Sequence, residues 1–233
     1  MDHQELQDRF ASLTTAHLAD ACVRAGVDVR TSSIGPVAAG MRLAGRVLPA
    51  RHAGSVDVFL EAFQGAQPGD VLVVDDRDRV DESCVGDLVV LEAQAAGLAG
   101  VVIWGRHRDT AEIESIGLPV FSRGAVPTGP LKVRPRAANA LDSAQIDYWT
   151  VGPESVVCAD ADGVVFLPAD RLAELFDVAE AIRDTERAQA DRIRQGESLR
   201  AQLRFAEYLT ARAQNPELTF REHLRAIGGA VEE

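Results

Sequence analysis

The chain has 233 residues, of which 46% are hydrophobic, and this supports one globular domain with an elaboration or one domain plus a small helical subdomain. Its 36 acidic and 24 basic residues give a formal net charge of -12 with no compensating basic stripe, which argues against nucleic-acid binding. No apolar run approaches the roughly 20 residues of a membrane helix, and the N-terminus lacks the basic start and apolar stretch of a secretory signal. We therefore expect a cytoplasmic protein that binds no membrane. The unpaired spacing of Cys22, Cys84 and Cys158 argues against a disulfide framework.

Helical and strand patterns alternate through the first 76 residues. The pattern predicts helices at 4–12, 14–25 and 56–66, strands at 45–52 and 71–76, and a loop at 31–42. The apolar run from Val71 to Val74 is typical of a strand that is covered on both faces. The charged segment from Arg77 to Ser83 is expected to form a flexible rim.

The segment from Gly86 to Asp109 carries the clearest functional signal. It predicts a helix at 88–96, a glycine-containing turn, a buried strand at 101–104, and a polar loop that ends where a second helix begins. Asp87, Arg108 and Asp109 therefore lie at two helix entrances. If these entrances share one side of the layer, the three side chains form a small site for an anion and a divalent cation. The alternative is that each aspartate only caps its helix.

The chain after Asp109 continues with a short helix, a strand, and a segment at 122–140 that is rich in proline, glycine and basic residues. Its basic side chains are Arg123, Lys132, Arg134 and Arg136. We interpret them as solvated surface, with pocket lining or contact to an acidic neighbouring subunit as alternatives. From Pro168 onward the composition predicts helices at 169–195, at about 197–213, and from Pro216.

The spacing of the three site residues matches a known pattern. Twenty positions separate Asp87 from Arg108, and Asp109 follows directly. This resembles the D-x20-R-D pattern of metal-dependent 4-hydroxy-4-methyl-2-oxoglutarate aldolases, in the family that they share with the regulator of RNase E activity A (RraA). The segments TTAHLADAC, QPGDVLVVDD, IGLPVF and DADGVVFLP are similar to the family as well, in order, over roughly residues 10–170.

The resemblance implies an α/β fold with a layered β/β/α, swivelling-domain-like core and a C-terminal helical extension. We expect a catalytic domain at 1–196 and a helical arm at 197–233. The arm is expected to pack subunits together, and the alternative is that it covers the mouth of the pocket. Family precedent suggests a homotrimer or a dimer of trimers (a homohexamer).

The resemblance also assigns roles to the site residues. Asp109 would coordinate Mg2+, Mn2+ or another divalent cation, and Asp87 would hold one of its waters, which is the candidate base. Arg108 would bind the carboxylate of a small 2-oxo acid with its planar fork, a geometry that lysine does not reproduce.

Further groups are expected to complete the site. The backbone at Gly86, Leu88 and Val89, where the helix begins, would bind the substrate anion. In some family members a glutamate from a neighbouring subunit joins the metal shell, and Glu186 is the candidate counterpart here.

The expected activity is class II aldol cleavage of a 4-hydroxy-2-oxo acid to pyruvate, with oxaloacetate decarboxylation as a side activity. The core motif contains no lysine for a Schiff base. A non-catalytic, RraA-like regulator that binds a ribonuclease is one alternative. Another is a different keto-acid lyase of a specialised pathway, because the loop from Trp104 to His107 differs from the small, apolar residues common there. Arg106 is expected to face solvent, and the role of His107 stays open.

Overall fold

A computed structural model describes residues 1–228, which contain twelve β-strands and nine α-helices. The strands are β1 (Arg30–Ser32), β2 (Gly35–Pro36), β3 (Leu43–Arg51), β4 (Val71–Asp75), β5 (Ser83–Val85), β6 (Gly100–Trp104), β7 (Arg106–His107), β8 (Val120–Ser122), β9 (Ala144–Ile146), β10 (Trp149–Val151), β11 (Ser155–Asp160) and β12 (Gly163–Pro168). The helices are α1 (His3–Phe10), α2 (Thr15–Arg24), α3 (Asp57–Gln64), α4 (Asp87–Ala95), α5 (Thr110–Ile116), α6 (Leu172–Arg194), α7 (Leu199–Gln202), α8 (Phe205–Gln214) and α9 (Phe220–Ile227), with a 3-10 turn at Ala169–Arg171.

Eight strands form one mixed sheet in the order β1-β12-β11-β3-β4-β6-β8-β2. Its central strands β3, β4, β6 and β8 are parallel, and the flanking strands are antiparallel. Every residue of β4 is buried, as predicted for a strand covered on both faces. Phe121 of β8 and Phe166 of β12 belong to one buried cluster although they lie near opposite ends of the strand order. The sheet is therefore curled.

Two helical groups cover the sheet. Helices α3, α4 and α5 bury apolar side chains such as Phe59, Val90 and Ile113 against the parallel strands. Helices α1, α2 and α6 pack against β3, β11 and β12 through a second cluster that includes Phe10 and Phe176. This arrangement confirms the predicted α/β fold class of a layered core with C-terminal helices.

The structure differs from the sequence-based predictions in several segments. The expected loop at 31–42 contains the short strands β1 and β2, which are held by pairing with β12 and β8. The helix expected at 197–213 is divided into α7 and α8, because Arg204 adopts a left-handed backbone conformation with φ 47°. Helices α8 and α9 then pack through contacts between the rings of Tyr208 and Phe220. Within residues 1–228, no helix combines the length and apolar character that crossing a membrane requires.

Candidate functional site

A two-stranded parallel ladder brings the predicted site residues together. Strand β5 pairs with β7, with Ser83 opposite Arg106 and Val85 opposite His107. The Arg108 N–H continues this pairing by donating to the Val85 carbonyl at 3.0 Å. Because the strands are parallel and each is followed by a helix, the beginnings of α4 and α5 lie side by side. The condition for a shared site, that both helix entrances lie on one side of the layer, is met.

Gly86 lies in direct contact with Asp109 and Arg108. A Cβ atom on residue 86 would overlap Oδ2 of Asp109 and would lie 3.2 Å from Nε of Arg108. The backbone of Gly86 is extended, with φ -132° and ψ -171°, so glycine is required here by space and not by conformation. The missing side chain leaves room beside the Asp109 carboxylate.

Asp109 does not cap helix α5 with its side chain. It occupies the N-cap position in a left-handed conformation, with φ 59° and ψ 44°, and makes no side-chain cap hydrogen bond. An N-cap residue that bonds its helix usually has an extended backbone, which aims the side chain at the amides of the first turn. Instead, Oδ2 of Asp109 accepts from Nε of Arg108 at 3.2 Å, and about a third of the side chain, 35%, is exposed. The carboxylate therefore remains accessible to a cation.

Asp87 is the first residue of α4, and its carboxylate bonds the helix that it begins. Its Oδ1 accepts from the Leu88 N–H at 2.8 Å. The Leu88 amide, expected to bind the substrate anion, is therefore engaged by Asp87, whereas the Val89 amide belongs to the first helical turn, where N–H groups lack intrahelical partners. The capping interpretation therefore accounts for Oδ1 of Asp87, and Oδ2 remains available to a ligand.

Arg108 lies between two cavities and lines both. The first has a volume of about 240 Å³ and is also lined by Gly86, Asp87, Leu88 and Val89. The second, also about 240 Å³, is lined by Asp109 together with Thr110 and the segment 125–127. A Cβ on Gly129 would lie 2.6 Å from Nη1 of Arg108, so the guanidinium lies against the backbone of that loop.

His107, whose role the sequence leaves open, is a buried structural residue. Its Nδ1 lies 2.6 Å from Oγ of Ser122, and its Nε2 lies 3.0 Å from Oγ1 of Thr110. Burial lowers the pKa of His107, and the Gly124 backbone and Asp109 oppose that shift. The imidazole therefore connects β7 to β8 and α5. The neighbouring Arg106 is half-buried.

Glu186 lies on α6 and is paired within its own chain. Its Oε2 is 3.0 Å from Nε2 of His17, and half of its side chain, 50%, is exposed. The other ring nitrogen of His17, Nδ1, accepts from the Thr14 N–H at the start of α2. A role for Glu186 in a neighbouring subunit's metal shell would require this pair to open.

The basic cluster at 123–136 is largely paired with acidic side chains of the same chain. Arg134 lies 2.7 Å from Glu82, Arg136 lies 2.7 Å from Glu61, and Arg123 lies 3.3 Å from Asp78. The solvated-surface interpretation is therefore incomplete, because these pairs hold the 122–140 segment against the body of the protein.

The segment from Arg77 to Ser83 is anchored through Glu82, whereas the sequence predicts a flexible rim. Glu82 is buried and accepts from the Leu131 N–H at 2.8 Å and from Arg79 at 2.9 Å. Burial alone would raise the pKa of Glu82, but the Leu131 amide, Arg134 and Arg79 outweigh it and lower that pKa. Glu82 thereby ties the loop beside the first cavity to the beginning of β5.

A buried polar cluster that sequence reasoning missed adjoins the first cavity. His52, Asp76 and Cys84 place donor atoms within 4.8 Å of one another, and His52 and Cys84 line that cavity. The group could hold a cation, but only Asp76 supplies oxygen atoms, whereas Mg2+ prefers oxygen ligands. Asp76 also already pairs with Arg79 at 2.9 Å, and burial raises the pKa of the Cys84 thiol well above its usual value. Of the two places, the Asp87 and Asp109 carboxylates fit a hard cation better. His52 precedes Asp76 by 24 positions, so local spacing did not reveal the group.

The fold and this site together define the class of protein. The family model described as RraA-like, Aldolase/RraA, matches residues 15–166. The chain therefore belongs to the RraA-like family, which confirms the resemblance found in its sequence.

Two named proteins and one solved structure illustrate what this chain is similar to. Protein DlpA of Legionella pneumophila is 29% identical over 200 residues, which cover 83% of this chain but only 32% of DlpA. A Halalkalibacterium halodurans protein, provisionally named 4-hydroxy-4-methyl-2-oxoglutarate aldolase, is 29% identical over 164 residues, 69% of this chain and 75% of that protein. The solved structure of Streptomyces coelicolor RraAS2, described as an unusual member of the RNase ES inhibitor RraA protein family, matches with a TM-score of 0.71 and 25% identity. It covers 81% of this chain and 98% of RraAS2.

Proposed function

We propose that this protein is a divalent-metal-dependent carbon-carbon lyase. Its substrate would be a 4-hydroxy-2-oxo acid such as 4-hydroxy-4-methyl-2-oxoglutarate, which it would cleave to pyruvate, with oxaloacetate decarboxylation as a side activity. The observation that carries the proposal is the contact of Gly86 with both Asp109 and Arg108, beside a cavity that Asp87 also lines.

The residues present fit a hard divalent cation such as Mg2+ or Mn2+. Asp109 has a carboxylate that bonds no helix amide, and the absent side chain of Gly86 leaves space next to it. Mg2+ typically takes one or two carboxylates and keeps several waters, so Asp109 as a direct ligand and Asp87 through a water form a sufficient protein contribution. When bound, the cation would supply Lewis-acid polarisation of the keto oxygen.

Arg108 would bind the substrate carboxylate. Its guanidinium lines the cavity and has five N–H donors, of which the Nε group is engaged by Asp109. Nearly half of the side chain, 47%, is exposed, so its terminal nitrogens can approach an incoming anion. Because the whole chain carries a net charge of -12, this local positive charge is needed to attract an anionic substrate.

Asp87 would position the water that accepts the proton of the 4-hydroxyl group. One carboxylate oxygen is held by the Leu88 amide, which fixes the orientation of the side chain. The half-buried position of Asp87 in the cavity wall leaves the other oxygen for a water. A base held this way typically contributes on the order of 100-fold to 10,000-fold to the rate.

A covalent Schiff-base route has one candidate residue in the sequence. Lys132 is the only lysine of the chain, and its side chain is exposed on the 122–140 segment. A Lys132→Arg variant should therefore retain activity, and borohydride should not trap pyruvate on the protein.

The test is pyruvate release from 4-hydroxy-4-methyl-2-oxoglutarate, measured with a lactate dehydrogenase coupling assay. We expect release with Mg2+ or Mn2+, loss on addition of EDTA, and recovery when the cation is added in excess. Release that is unaffected by EDTA would contradict the metal-dependent route. No release from any 4-hydroxy-2-oxo acid or from oxaloacetate would contradict the lyase proposal.

The assembly forms a further part of the proposal. Val56, Leu60, Leu88 and Leu91 are exposed apolar side chains beside the first cavity, and they line a groove along α3 and α4. Such a contiguous patch favours contact with another protein surface. We propose a homotrimer or homohexamer in which the arm predicted at 197–233, beyond a 1–196 catalytic domain, packs between subunits and Glu186 reaches a neighbouring site. Residues 229–233 of that arm lie outside the described residues. Light scattering of the full chain and of a Leu88→Asp variant tests this assembly.

A second candidate function is that of a protein-binding regulator of a ribonuclease. The observation that favours it is the similarity to RraAS2, which is described as belonging to a family of RNase ES inhibitors. Inhibition of an RNase E-type enzyme by an Asp109→Asn variant, together with no lyase activity in the wild-type protein, would favour this function over catalysis.

A further inference from the structure

The first cavity, which Arg108 and Asp87 line, also has an imidazole in its wall. The side chain of His52 is almost entirely buried, with 1% exposed, and its ring stacks on Phe59 with the centroids 5.4 Å apart and the planes at 12°. Its residue nevertheless contributes to the cavity lining. The ring is therefore held rigidly next to the proposed substrate position.

Asp76 determines which nitrogen of His52 carries the proton. Nδ1 of His52 lies 2.8 Å from Oδ1 of Asp76, and a carboxylate accepts, so Nδ1 is the donor. In a neutral imidazole this leaves Nε2 as an acceptor. Arg79 lies 2.9 Å from the same Oδ1 of Asp76, and the Cys84 thiol and Glu82 are the other titratable groups near this cluster.

Nε2 of His52 has no hydrogen-bond partner among the protein groups of residues 1–228. This nitrogen is not among the fully buried side-chain atoms of the described residues that lack a partner, so it keeps some accessible surface. One nitrogen is held by Asp76 and one ring face is covered by Phe59, so we infer that the Nε2 edge faces the cavity.

Cleavage of a 4-hydroxy-2-oxo acid moves two protons at two different atoms. One proton leaves the 4-hydroxyl oxygen, and another joins C3 after the C3–C4 bond has broken. A water at Asp87 can serve the first atom, and a second group must serve the other. Cys84 is less suited to this, because burial raises the pKa of its thiol well above the usual value and so disfavours the thiolate that the reverse transfer needs.

We propose that His52, positioned by Asp76, donates the proton to C3 of the pyruvate enolate. This role rests on the proposed lyase function. The electron pair of the broken C3–C4 bond becomes the enolate. Nε2, the acceptor of the neutral ring, first takes a proton from solvent, and the enolate then forms a C3–H bond with that proton. The N–H electron pair stays on Nε2, which leaves the ring neutral. In the reverse direction, neutral His52 removes a proton from the methyl group of pyruvate. No oxidation or reduction is involved.

Two reactions distinguish the proposed role of His52 from the roles of Asp87, Arg108 and Asp109. Exchange of the pyruvate methyl protons in D2O, followed by NMR with Mg2+ present, requires proton transfer at C3. Release of CO2 from oxaloacetate produces the enolate without that transfer, because the enolate can take its proton from solvent afterwards. For His52→Gln we expect methyl exchange to fall by about 100-fold or more while CO2 release stays within about threefold of wild type.

The controls are an unrelated buried histidine and the proposed cation ligand. His223→Gln alters a buried imidazole that bonds the Leu203 carbonyl between the C-terminal helices, and it should leave the ratio of the two rates unchanged. Asp109→Asn should lose both reactions. Equal exchange rates in His52→Gln and the wild-type protein would overturn the role of His52. So would an equal loss of both reactions in a folded variant that Mg2+ and oxalate still stabilise against heat.

An independent measurement covers the case in which His52 variants do not fold. In wild-type protein labelled with 15N-histidine, Mg2+ and oxalate together should shift the Nε2 resonance of His52, because the ligand or its ordered water reaches that nitrogen. An unchanged resonance would overturn the proposal. Absence of both reactions in the wild-type protein would refute the lyase function itself, and with it this role.

Discussion

Gly86 lies directly against the carboxylate of Asp109, although 22 residues separate them in the sequence. The contact exists because β5 and β7 are paired in parallel and both end where a helix begins. A single small residue at one helix entrance thus leaves the space in which a carboxylate from the other entrance can meet a cation.

Substituting Gly86→Ala should damage the site without straining the backbone. The conformation of Gly86 suits alanine, but the added Cβ would overlap Oδ2 of Asp109 and press on Arg108. We expect weaker Mg2+ binding, at least about tenfold by calorimetry, and about 1–3 kcal/mol of destabilisation from overpacking. Gly35→Ala is the matched control, because its Cβ meets nothing within 4 Å. Identical Mg2+ affinities in the two variants would contradict the assignment.

Asp109→Asn and Asp109→Ala should differ in stability while both lose activity. Asparagine tolerates the left-handed backbone at φ 59°, whereas alanine there costs roughly 1–2 kcal/mol. Both remove the negative charge that a divalent cation requires. Thermal melts should therefore place only the alanine variant clearly below wild type, and pyruvate release should be absent from both. Near wild-type turnover in Asp109→Asn would exclude Asp109 as a metal ligand.

Arg108→Lys should mainly weaken substrate binding. Lysine keeps the charge but cannot make two parallel hydrogen bonds to a carboxylate from a planar fork. We expect a rise in KM of roughly tenfold to 100-fold, equivalent to about 1.4–2.8 kcal/mol, with a smaller fall in kcat. Arg106→Lys, two residues away on β7, is the control and should change KM by less than about threefold. An unaltered KM in Arg108→Lys would remove Arg108 from the substrate site.

Glu82→Gln should destabilise the protein at neutral pH and much less in acid. The pKa of Glu82 is lowered in the folded protein, so its contribution is present above the unfolded pKa, about 4.3, and is lost as pH falls through the lower folded pKa. Hydrogen bonds to a charged group typically contribute about 1.5–3 kcal/mol. Urea unfolding at pH 7 should show a cost of that order, and the difference between variant and wild type should shrink below about pH 4. A cost that is independent of pH would show that the charge of Glu82 is not what stabilises the loop.

Several elements and the positions of the candidate site residues could be predicted from local sequence, and the resemblance to the RraA-like family implied the fold class. Hydrophobic periodicity depends on which face of an element is buried, so it predicted α2, α4, β4 and β6 to within a few residues. The same patterns also placed Asp87, Arg108 and Asp109 at helix entrances, where the structure has them.

Tertiary structure alone decided how these residues meet. Strands of two or three residues, such as β5 and β7, carry too little pattern to be recognised, and they exist because their backbone groups pair with each other. The sequence predicted a charged rim ending at Ser83 and a polar loop after Trp104. The structure instead has β5 and β7 there, and their pairing aligns the beginnings of α4 and α5. His52 and Asp76 come directly after the paired strands β3 and β4, since neighbouring strands join residues that are distant in sequence. Local sequence therefore determined which elements carry the charged groups, and the pairing of distant backbone segments determined which of those groups share one cavity.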